Sequence, residues 1–113
     1  IIIGGANNQL ENQGIGLKLF KKGILYAPDY VVNAGGVIAV TDEYENDMVS
    51  VGRVTEKVLK IKDTLSEILD LSSKKNKGTN IIAAELAESR FQNKAWFENA
   101  CKISPQKVAD YIK

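Results

Sequence analysis

Histidine is absent from this chain of 113 residues, and cysteine occurs once, as Cys101. Without histidine the chain holds neither the commonest general base nor the commonest ligand of transition metals. A Ser-His-Asp or Cys-His catalytic centre therefore cannot be built from this chain alone, and no zinc site is expected. A single cysteine excludes an internal disulfide and fits a reducing, cytoplasmic environment.

Excess charge and long hydrophobic runs are also lacking. The 15 Lys and Arg residues nearly balance the 14 Asp and Glu residues, and the formal net charge is +1. Nothing in this balance favours nucleic acid or an anionic membrane surface as a partner. No run reaches the roughly 18 apolar residues that a membrane span requires. The composition, 44% hydrophobic and 26% charged, is typical of an ordinary globular domain.

The first quarter of the chain predicts a βαβ unit. Three isoleucines at residues 1–3 indicate a buried strand, and the next apolar pattern predicts a helix over residues 12–22. Gly23 stands where a glycine commonly ends a helix, and residues 24–27 read as a second short strand. Strands joined by a helix should be parallel. Because two strands do not form a stable sheet alone, further strands are expected upstream, and the chain is expected to be a fragment.

The rest of the chain is predicted to be mainly helical. Apolar residues at alternating steps of three and four predict a long helix over residues 47–75. They are Val51, Val54, Val58, Ile61, Leu65 and Ile68. Thr79 or Asn80 is expected to cap a further helix, and Ser104-Pro105 predicts the start of a last one.

The turn after the first predicted strand is a candidate binding site. Its sequence is Gly4-Gly5-Ala6-Asn7-Asn8. Glycines let a ligand approach the backbone, and asparagine side chains offer both a donor and an acceptor of hydrogen bonds. At the carboxyl end of a parallel strand, this combination suits a carboxamide such as that of nicotinamide. On local chemistry alone, the preferred interpretation is a surface turn rich in glycine and asparagine.

A second candidate follows at Gly35-Gly36. The pair either admits a ligand close to the backbone or allows a bend or tight packing between helices. Val37 and Val40 lie one helical step apart and would share a face. They could line an apolar pocket, but periodicity alone favours a plain core stripe.

Charged residues beyond this point are expected to be solvated. Asp42, Glu43 and Glu45 could perform acid–base chemistry as paired carboxylates, although a solvated helix end is the preferred interpretation. The lysines of the next helix flank its apolar stripe and are expected to form its solvent-facing sides. They are Lys57, Lys60 and Lys62.

In their order and spacing, these segments closely resemble the Glu/Leu/Phe/Val dehydrogenases. Three strings carry the resemblance: GANNQL at residues 5–10, GILYAPDY at residues 23–30 and NAGGVI at residues 33–38. The glutamate branch has Gly and Pro soon after its first Asn, whereas Asn8 stands here, as in the leucine, phenylalanine and valine dehydrogenases. The chain resembles the C-terminal part of such a protein, with no useful match beyond about residue 93.

The resemblance implies an α/β fold, namely a partial Rossmann-like nucleotide-binding domain followed by a mainly helical region. Residues 1–45 would be the C-terminal portion of the dinucleotide-binding domain, and residues 46–113 a helical region that packs on it. The segment at residues 30–40 is ambiguous by propensity, because valines favour strand and its length favours helix. Asp29 also suits the N-cap of a helix, and we predict a helix there, in part because the resemblance favours one.

The activity that the resemblance implies is reversible oxidative deamination of an apolar L-amino acid to the 2-oxo acid and ammonia, with NAD as cofactor. In the family, the residue matching Asn8 lies at the nicotinamide and the substrate, and Ala6 and Asn7 belong to the cofactor-binding turn. The residues matching Val37 and Val40 line the pocket for the substrate side chain.

The catalytic lysines and aspartate of the family lie in a separate N-terminal domain, and no lysine here matches them. The resemblance therefore implies that this chain has no turnover by itself and needs that missing domain as a partner. The parent protein is expected to be a homo-oligomer in the cytoplasm. The alternative is a non-enzymatic helical module, in which the stripe from Val51 to Ile68 binds a partner helix or forms a dimer.

Overall fold

A computed structural model describes residues 1–92, which form five helices. They are α1 (Gln13–Lys21), α2 (Asp29–Val32), α3 (Gly35–Asn46), α4 (Val51–Lys75) and α5 (Thr79–Gln92). The long helix α4 contacts α2, α3 and α5, and α1 packs against α5. Cys101 and the helix predicted to begin at Ser104-Pro105 lie outside the described residues.

The predicted βαβ unit is wrong. Residues 1–92 contain no strand, and a single parallel bridge joins Ile2 to Tyr26. It consists of a hydrogen bond from the Ile2 N–H to the Leu25 carbonyl (2.8 Å) and one from the Ala27 N–H to the Ile2 carbonyl (2.9 Å). Two such short segments cannot extend their pairing without further strands beside them. The described part of the chain is therefore helical, and the α/β, Rossmann-like fold class is not observed.

Helix α1 confirms the first helix prediction to within one residue at each end. Gly23 follows it with φ at +67°, in the left-handed region that glycine adopts without a steric penalty. Its N–H donates to the Phe20 carbonyl at 2.9 Å. The chain is thereby turned back toward the bridge with Ile2, as the position of this glycine predicted.

The segment predicted as one helix over residues 30–40 is two helices. Asn33 leaves helical geometry, with φ at −106° and ψ at 36°, and separates α2 from α3. Its side-chain amide hydrogen-bonds to the preceding turn. Helix α3 then continues past Val40 to residue 46. Asp29 is the first residue of α2, and Pro28 occupies the N-cap position that was predicted for Asp29.

Helix α4 begins at residue 51, four residues later than predicted, because the chain turns between α3 and α4. Asp47 adopts a left-handed conformation (φ 59°) and ends α3, and Ser50 caps α4 by accepting the Arg53 N–H at 3.5 Å. Asn76, also left-handed (φ 52°), follows the last residue of α4. Helix α5 begins at Thr79, so Thr79 and Asn80, either of which was predicted to cap this helix, are its first two residues.

The core lies between α4 and α5. Ile68, Ile82 and Ala83 are buried there, and three half-buried residues pack around them. These are Val31, Leu71 and Leu86. The predicted stripe of α4 is therefore buried toward its C-terminal end, whereas Val51 at its start is 80% exposed. No helix within residues 1–92 is long and apolar enough to cross a membrane.

The contact between α1 and α5 depends on a glycine. A Cβ built on Gly16 would lie 2.4 Å from Oδ1 of Asn80, a separation that side chains do not tolerate. Asn80 is 2% exposed and donates from Nδ2 to Oε1 of Gln13 at 2.7 Å. Its Oδ1 has no hydrogen-bond partner among the described residues. The small residue thus allows a buried amide to sit directly on helix α1.

Candidate functional site

A cleft of about 620 Å³ lies between the turn at residues 5–8 and the start of α3. Its lining includes two asparagines, one aromatic ring, a glycine and two valines. They are Asn7, Tyr30, Asn33, Gly36, Val37 and Val40. Val37 is 71% and Val40 is 66% exposed. The two valines therefore line an open apolar wall in the described chain and are not part of its core.

Asn33 attaches the turn to this wall. Its Nδ2 donates to the Gly5 carbonyl at 2.7 Å and to Oδ1 of Asn7 at 2.9 Å. Asn33 occupies the break between α2 and α3, so its side chain is free to reach back across 26 residues to Asn7. The position of Asn7 at the cleft thus depends on where α2 ends.

A buried carboxylate holds the other end of the turn. Asp29 accepts the Asn8 N–H at 2.9 Å through one oxygen and the Tyr26 hydroxyl through the other. The Tyr26 hydrogen bond holds the pKa of Asp29 below its usual value. Burial, with Asp29 as its hydrogen-bond partner, raises the pKa of Tyr26 to about 12. Asn8 has a left-handed backbone (φ 55°), which asparagine tolerates better than most residues.

Tyr30 connects the cleft to helix α5. Its ring lines the cleft, and its hydroxyl donates to the Asn80 carbonyl at 3.3 Å. Partial burial of the hydroxyl, and then the negative charge of Asp29, raise the pKa of Tyr30. Tyr30 is thus neutral at physiological pH and contributes an aromatic surface.

Of the predicted site residues, the structure brings Asn7, Val37 and Val40 together at one cleft. Ala6 and Asn8 are exposed neighbours of Asn7 in the same turn, but they are not among the residues that line the cleft. The Ala6 carbonyl accepts a hydrogen bond from Nε2 of Gln9 at 3.0 Å.

Sequence reasoning missed Asn33, Tyr30 and the anchoring role of Asp29. All three stand inside the strings that carry the family resemblance. Asp29 was assigned to a local helix cap, whereas its carboxylate bonds to Asn8, which is 21 residues away. No local pattern predicts a contact of that range.

The prediction of a solvated acidic cluster is wrong for Asp42. Its side chain is fully buried and accepts two hydrogen bonds from Arg53, from Nε at 2.8 Å and Nη2 at 3.0 Å. It also accepts the Ser50 N–H at 2.9 Å. The Arg53 hydrogen bonds hold the pKa of Asp42 below its usual value. Asp42 therefore joins α3 to α4 and is not arranged for proton transfer.

A second charge pair joins α3 and α4. Nζ of Lys57 on α4 lies 3.2 Å from a carboxylate oxygen of Glu45 on α3. Lys60, in contrast, makes an exposed pair with Glu56 within α4 at 3.5 Å. Lys60 is exposed, as was predicted for the lysines of α4, whereas Lys57 contacts the neighbouring helix. Within residues 1–92, no group of three His, Cys, Asp or Glu side chains could hold a metal ion.

Comparison with known proteins decides the family. The family model described as "Glutamate/Leucine/Phenylalanine/Valine dehydrogenase" matches residues 1–111. The chain belongs to this dehydrogenase family. The match confirms the resemblance and continues beyond residue 93, where the sequence alone predicted that it would end.

The relatives are amino-acid dehydrogenases. The L-tryptophan dehydrogenase of Nostoc punctiforme is 45% identical over 98 residues, which are 82% of this chain and 26% of that protein. The leucine dehydrogenase of Bacillus cereus is 41% identical over 93 residues, 80% of this chain and 24% of that protein. The phenylalanine dehydrogenase of Caldalkalibacillus thermarum is 44% identical over 94 residues, 83% of this chain and 25% of that protein.

The chain thus spans about a quarter of the length of the curated relatives it matches. Their names are those of oxidoreductases that act on amino acids with apolar or aromatic side chains. These relatives give no support to the alternative of a non-enzymatic helical module.

Proposed function

We propose that this chain forms one wall of the cofactor and substrate cleft of an NAD-dependent amino-acid dehydrogenase. The enzyme would convert an apolar L-amino acid reversibly to the 2-oxo acid and ammonia. The observation that carries the proposal is the cleft itself, where the exposed side chains of Val37 and Val40 lie beside the amide of Asn7. An apolar wall next to a few placed polar groups is typical of small-molecule sites.

The lining of the cleft favours an apolar substrate side chain. None of the described lining residues is charged. The side-chain carboxylate of a substrate such as glutamate would therefore find no positive charge on this wall. Val37 and Val40 lose their contact with water when an aliphatic or aromatic side chain covers them. Leucine, valine, phenylalanine and tryptophan have such side chains, and each of them appears in the name of the family or of a relative.

The polar end of the cleft fits a nicotinamide group. Asn7 offers an amide, Gly36 offers a surface without a side chain, and Tyr30 offers an aromatic face. Asn8 and Ala6 would extend the cofactor contact along the same turn. NAD, held there, would supply the hydride-accepting chemistry of the reaction. Asn7, Asn8 and the valines would orient the cofactor and the substrate relative to each other.

Proton transfer needs groups that this wall does not supply. No lysine or carboxylate is among the described residues that line the cleft. The catalytic groups would therefore come from residues other than those described at this wall. We accordingly expect the chain alone to show no turnover.

The test is amino-acid-dependent formation of NADH by the natural protein that contains this chain. Leucine, valine, phenylalanine and tryptophan should support NAD reduction, and glutamate should support little. The 113-residue chain, assayed at the same concentration, should give no NADH. Activity only with glutamate would contradict the proposed substrate class. Turnover by the chain alone would contradict the proposal that the chain needs catalytic groups from another part of the enzyme.

A further inference from the structure

The amide groups of Asn7 and Asn33 face each other at the cleft, and a third group fixes their orientation. Nδ2 of Asn33 lies 2.7 Å from the Gly5 carbonyl oxygen. The two ends of an asparagine amide have similar shapes, so their hydrogen-bond partners distinguish the oxygen from the nitrogen. A backbone carbonyl can only accept a hydrogen bond, and only the NH₂ end of Asn33 is compatible with it.

The orientation of Asn33 determines that of Asn7. Nδ2 of Asn33 also lies 2.9 Å from the Asn7 side chain. Because Asn33 is the donor, Asn7 must present its oxygen to Asn33. The NH₂ group of Asn7 is then left at the other end of the amide, and no hydrogen bond to another residue within 1–92 uses it. Asn7 is exposed and lines the cleft, so this NH₂ group is available to a ligand.

We propose that Asn33 is a positioning residue that holds Asn7 as a hydrogen-bond donor toward the ligand in the cleft. This inference rests on the proposed function and adds a chemical requirement to it. The group that meets Asn7 must be an acceptor oxygen. The carbonyl oxygen of a nicotinamide carboxamide and a carboxylate oxygen of the amino acid both satisfy this requirement, whereas an ammonium group does not.

The first experiment measures the KM for NAD and for the amino acid in the natural protein and in its Asn33→Ala and Asn7→Ala variants. Loss of one hydrogen bond should raise one of these KM values roughly three- to tenfold. A rise in the KM for NAD identifies the carboxamide oxygen as the acceptor, and a rise in the KM for the amino acid identifies the carboxylate. Because Asn33 acts through Asn7, the double variant should be no worse than Asn7→Ala alone.

A second variant isolates the donor without disturbing the anchor. Asn7→Asp keeps an oxygen for Asn33 to bond and replaces only the NH₂ group, so the turn retains its hydrogen bonds. We expect the same KM to rise at least as much as in Asn7→Ala. Asn12→Ala is the matched control, because Asn12 is exposed and its side chain makes no cap hydrogen bond. Its KM values should equal those of the unchanged protein.

Three results would overturn the inference while leaving the proposed function intact. They are an Asn7→Asp variant with unchanged KM values, an Asn33→Ala variant that behaves like Asn12→Ala, and effects of Asn7→Ala and Asn33→Ala that simply add. If the unchanged protein neither reduces NAD with amino acids nor binds NAD, the proposed function fails, and the inference fails with it.

Discussion

The carboxylate of Asp29 holds one end of the turn at the cleft, and Asn33 holds the other. Asp29 is buried and accepts hydrogen bonds from the Asn8 backbone and the Tyr26 hydroxyl. Both of its oxygens are therefore used as acceptors. The left-handed backbone of Asn8 is stabilised by this contact, and the neighbouring Asn7 is held at the rim of the cleft.

We predict that Asp29→Asn destabilises the protein although the change is nearly isosteric. One end of the new amide is a donor. Either the Asn8 N–H would face that donor, or the Tyr26 hydroxyl would have to accept from it and lose the acceptor for its own hydrogen. The expected loss is about 1–3 kcal/mol in the free energy of unfolding, measured by urea denaturation. Asp70→Asn, on the exposed side of α4, should change it by less than about 0.5 kcal/mol. Equal effects of the two substitutions would contradict the role of Asp29.

Gly16 provides a second prediction at this scale. The alanine methyl of Gly16→Ala would meet the buried Asn80 amide at 2.4 Å, and such overpacking costs roughly 1–3 kcal/mol. Gly52 is the control, because a Cβ there would meet only the Ser50 hydroxyl, at 3.8 Å. Gly52→Ala should be neutral or stabilise α4 by up to about 1 kcal/mol. Thermal unfolding of both variants tests the prediction, and it fails if Gly16→Ala is as stable as the unchanged protein.

At this scale, three of the residues predicted from the sequence line one cleft. Asn7, Val37 and Val40 were assigned because they stand in strings typical of a family, whereas local chemistry alone favoured a surface turn and a core stripe. Asn33 could not be assigned, because its role depends on a break in the helix that the propensities did not predict. Its partners lie 26 and 28 residues away.

The junction of α3 and α4 is the main electrostatic feature at the scale of elements. Asp42 is fully buried, and Arg53 supplies two of its hydrogen bonds. A buried carboxylate without its partner is strongly unfavourable, so this pair fixes how the two helices meet. Since α3 carries Val37 and Val40, the pair also fixes the direction of the apolar wall.

The lowered pKa of Asp42 predicts an acid-sensitive junction. The pKa of an aspartate in the unfolded state is about 4. A carboxyl whose pKa is lower in the folded state contributes stability at pH values above that unfolded pKa. That contribution is lost as the pH falls through the lower, folded pKa. We therefore expect Asp42→Asn to lower the urea midpoint at neutral pH and to flatten the decline of stability with acid.

The control for this prediction is Glu85→Gln. Lys77 and Lys75 lower the pKa of Glu85 as well, but these pairs are exposed, and solvent weakens them. Urea midpoints are measured from neutral to acidic pH for both variants. Those of Glu85→Gln should differ much less from the midpoints of the unchanged protein than those of Asp42→Asn. An Asp42→Asn variant whose acid decline matches that of the unchanged protein would contradict the account.

The sequence predicted the helices of the described chain better than it predicted strands. Helices α1 and α5 follow from local periodicity and caps, and their predicted starts were confirmed to within a residue. The strands at residues 1–3 and 24–27 were wrong, because a strand exists only where a neighbour completes its hydrogen bonds. In the described chain, Ile1 is 89% exposed and only one bridge forms. The late start of α4 depends on Asp47, whose left-handed backbone was not predicted.

At the scale of the whole molecule, the shorter helices pack against α4 and α5: α2 and α3 contact α4, and α1 contacts α5. The Thr79 hydroxyl donates to the Tyr26 carbonyl, and the Tyr30 hydroxyl donates to the Asn80 carbonyl. Both contacts join α5 to the segment that borders the cleft. The resemblance of the sequence to the family predicted a cleft. The structure alone shows that the described lining of this cleft is uncharged and that α5 contacts the segment beside it.

The central claim is that Val37 and Val40 bind the side chain of an apolar amino acid, and one comparison tests it most directly. The kcat/KM for leucine and phenylalanine is measured in the natural protein carrying Val37→Asp or, as the matched control, Val51→Asp. Val51 is similarly exposed, at 80%, but does not line the cleft. We predict that Val37→Asp lowers kcat/KM roughly tenfold or more, because an apolar group would face a charge. Val51→Asp should leave it unchanged, and equal values for the two variants would contradict the claim.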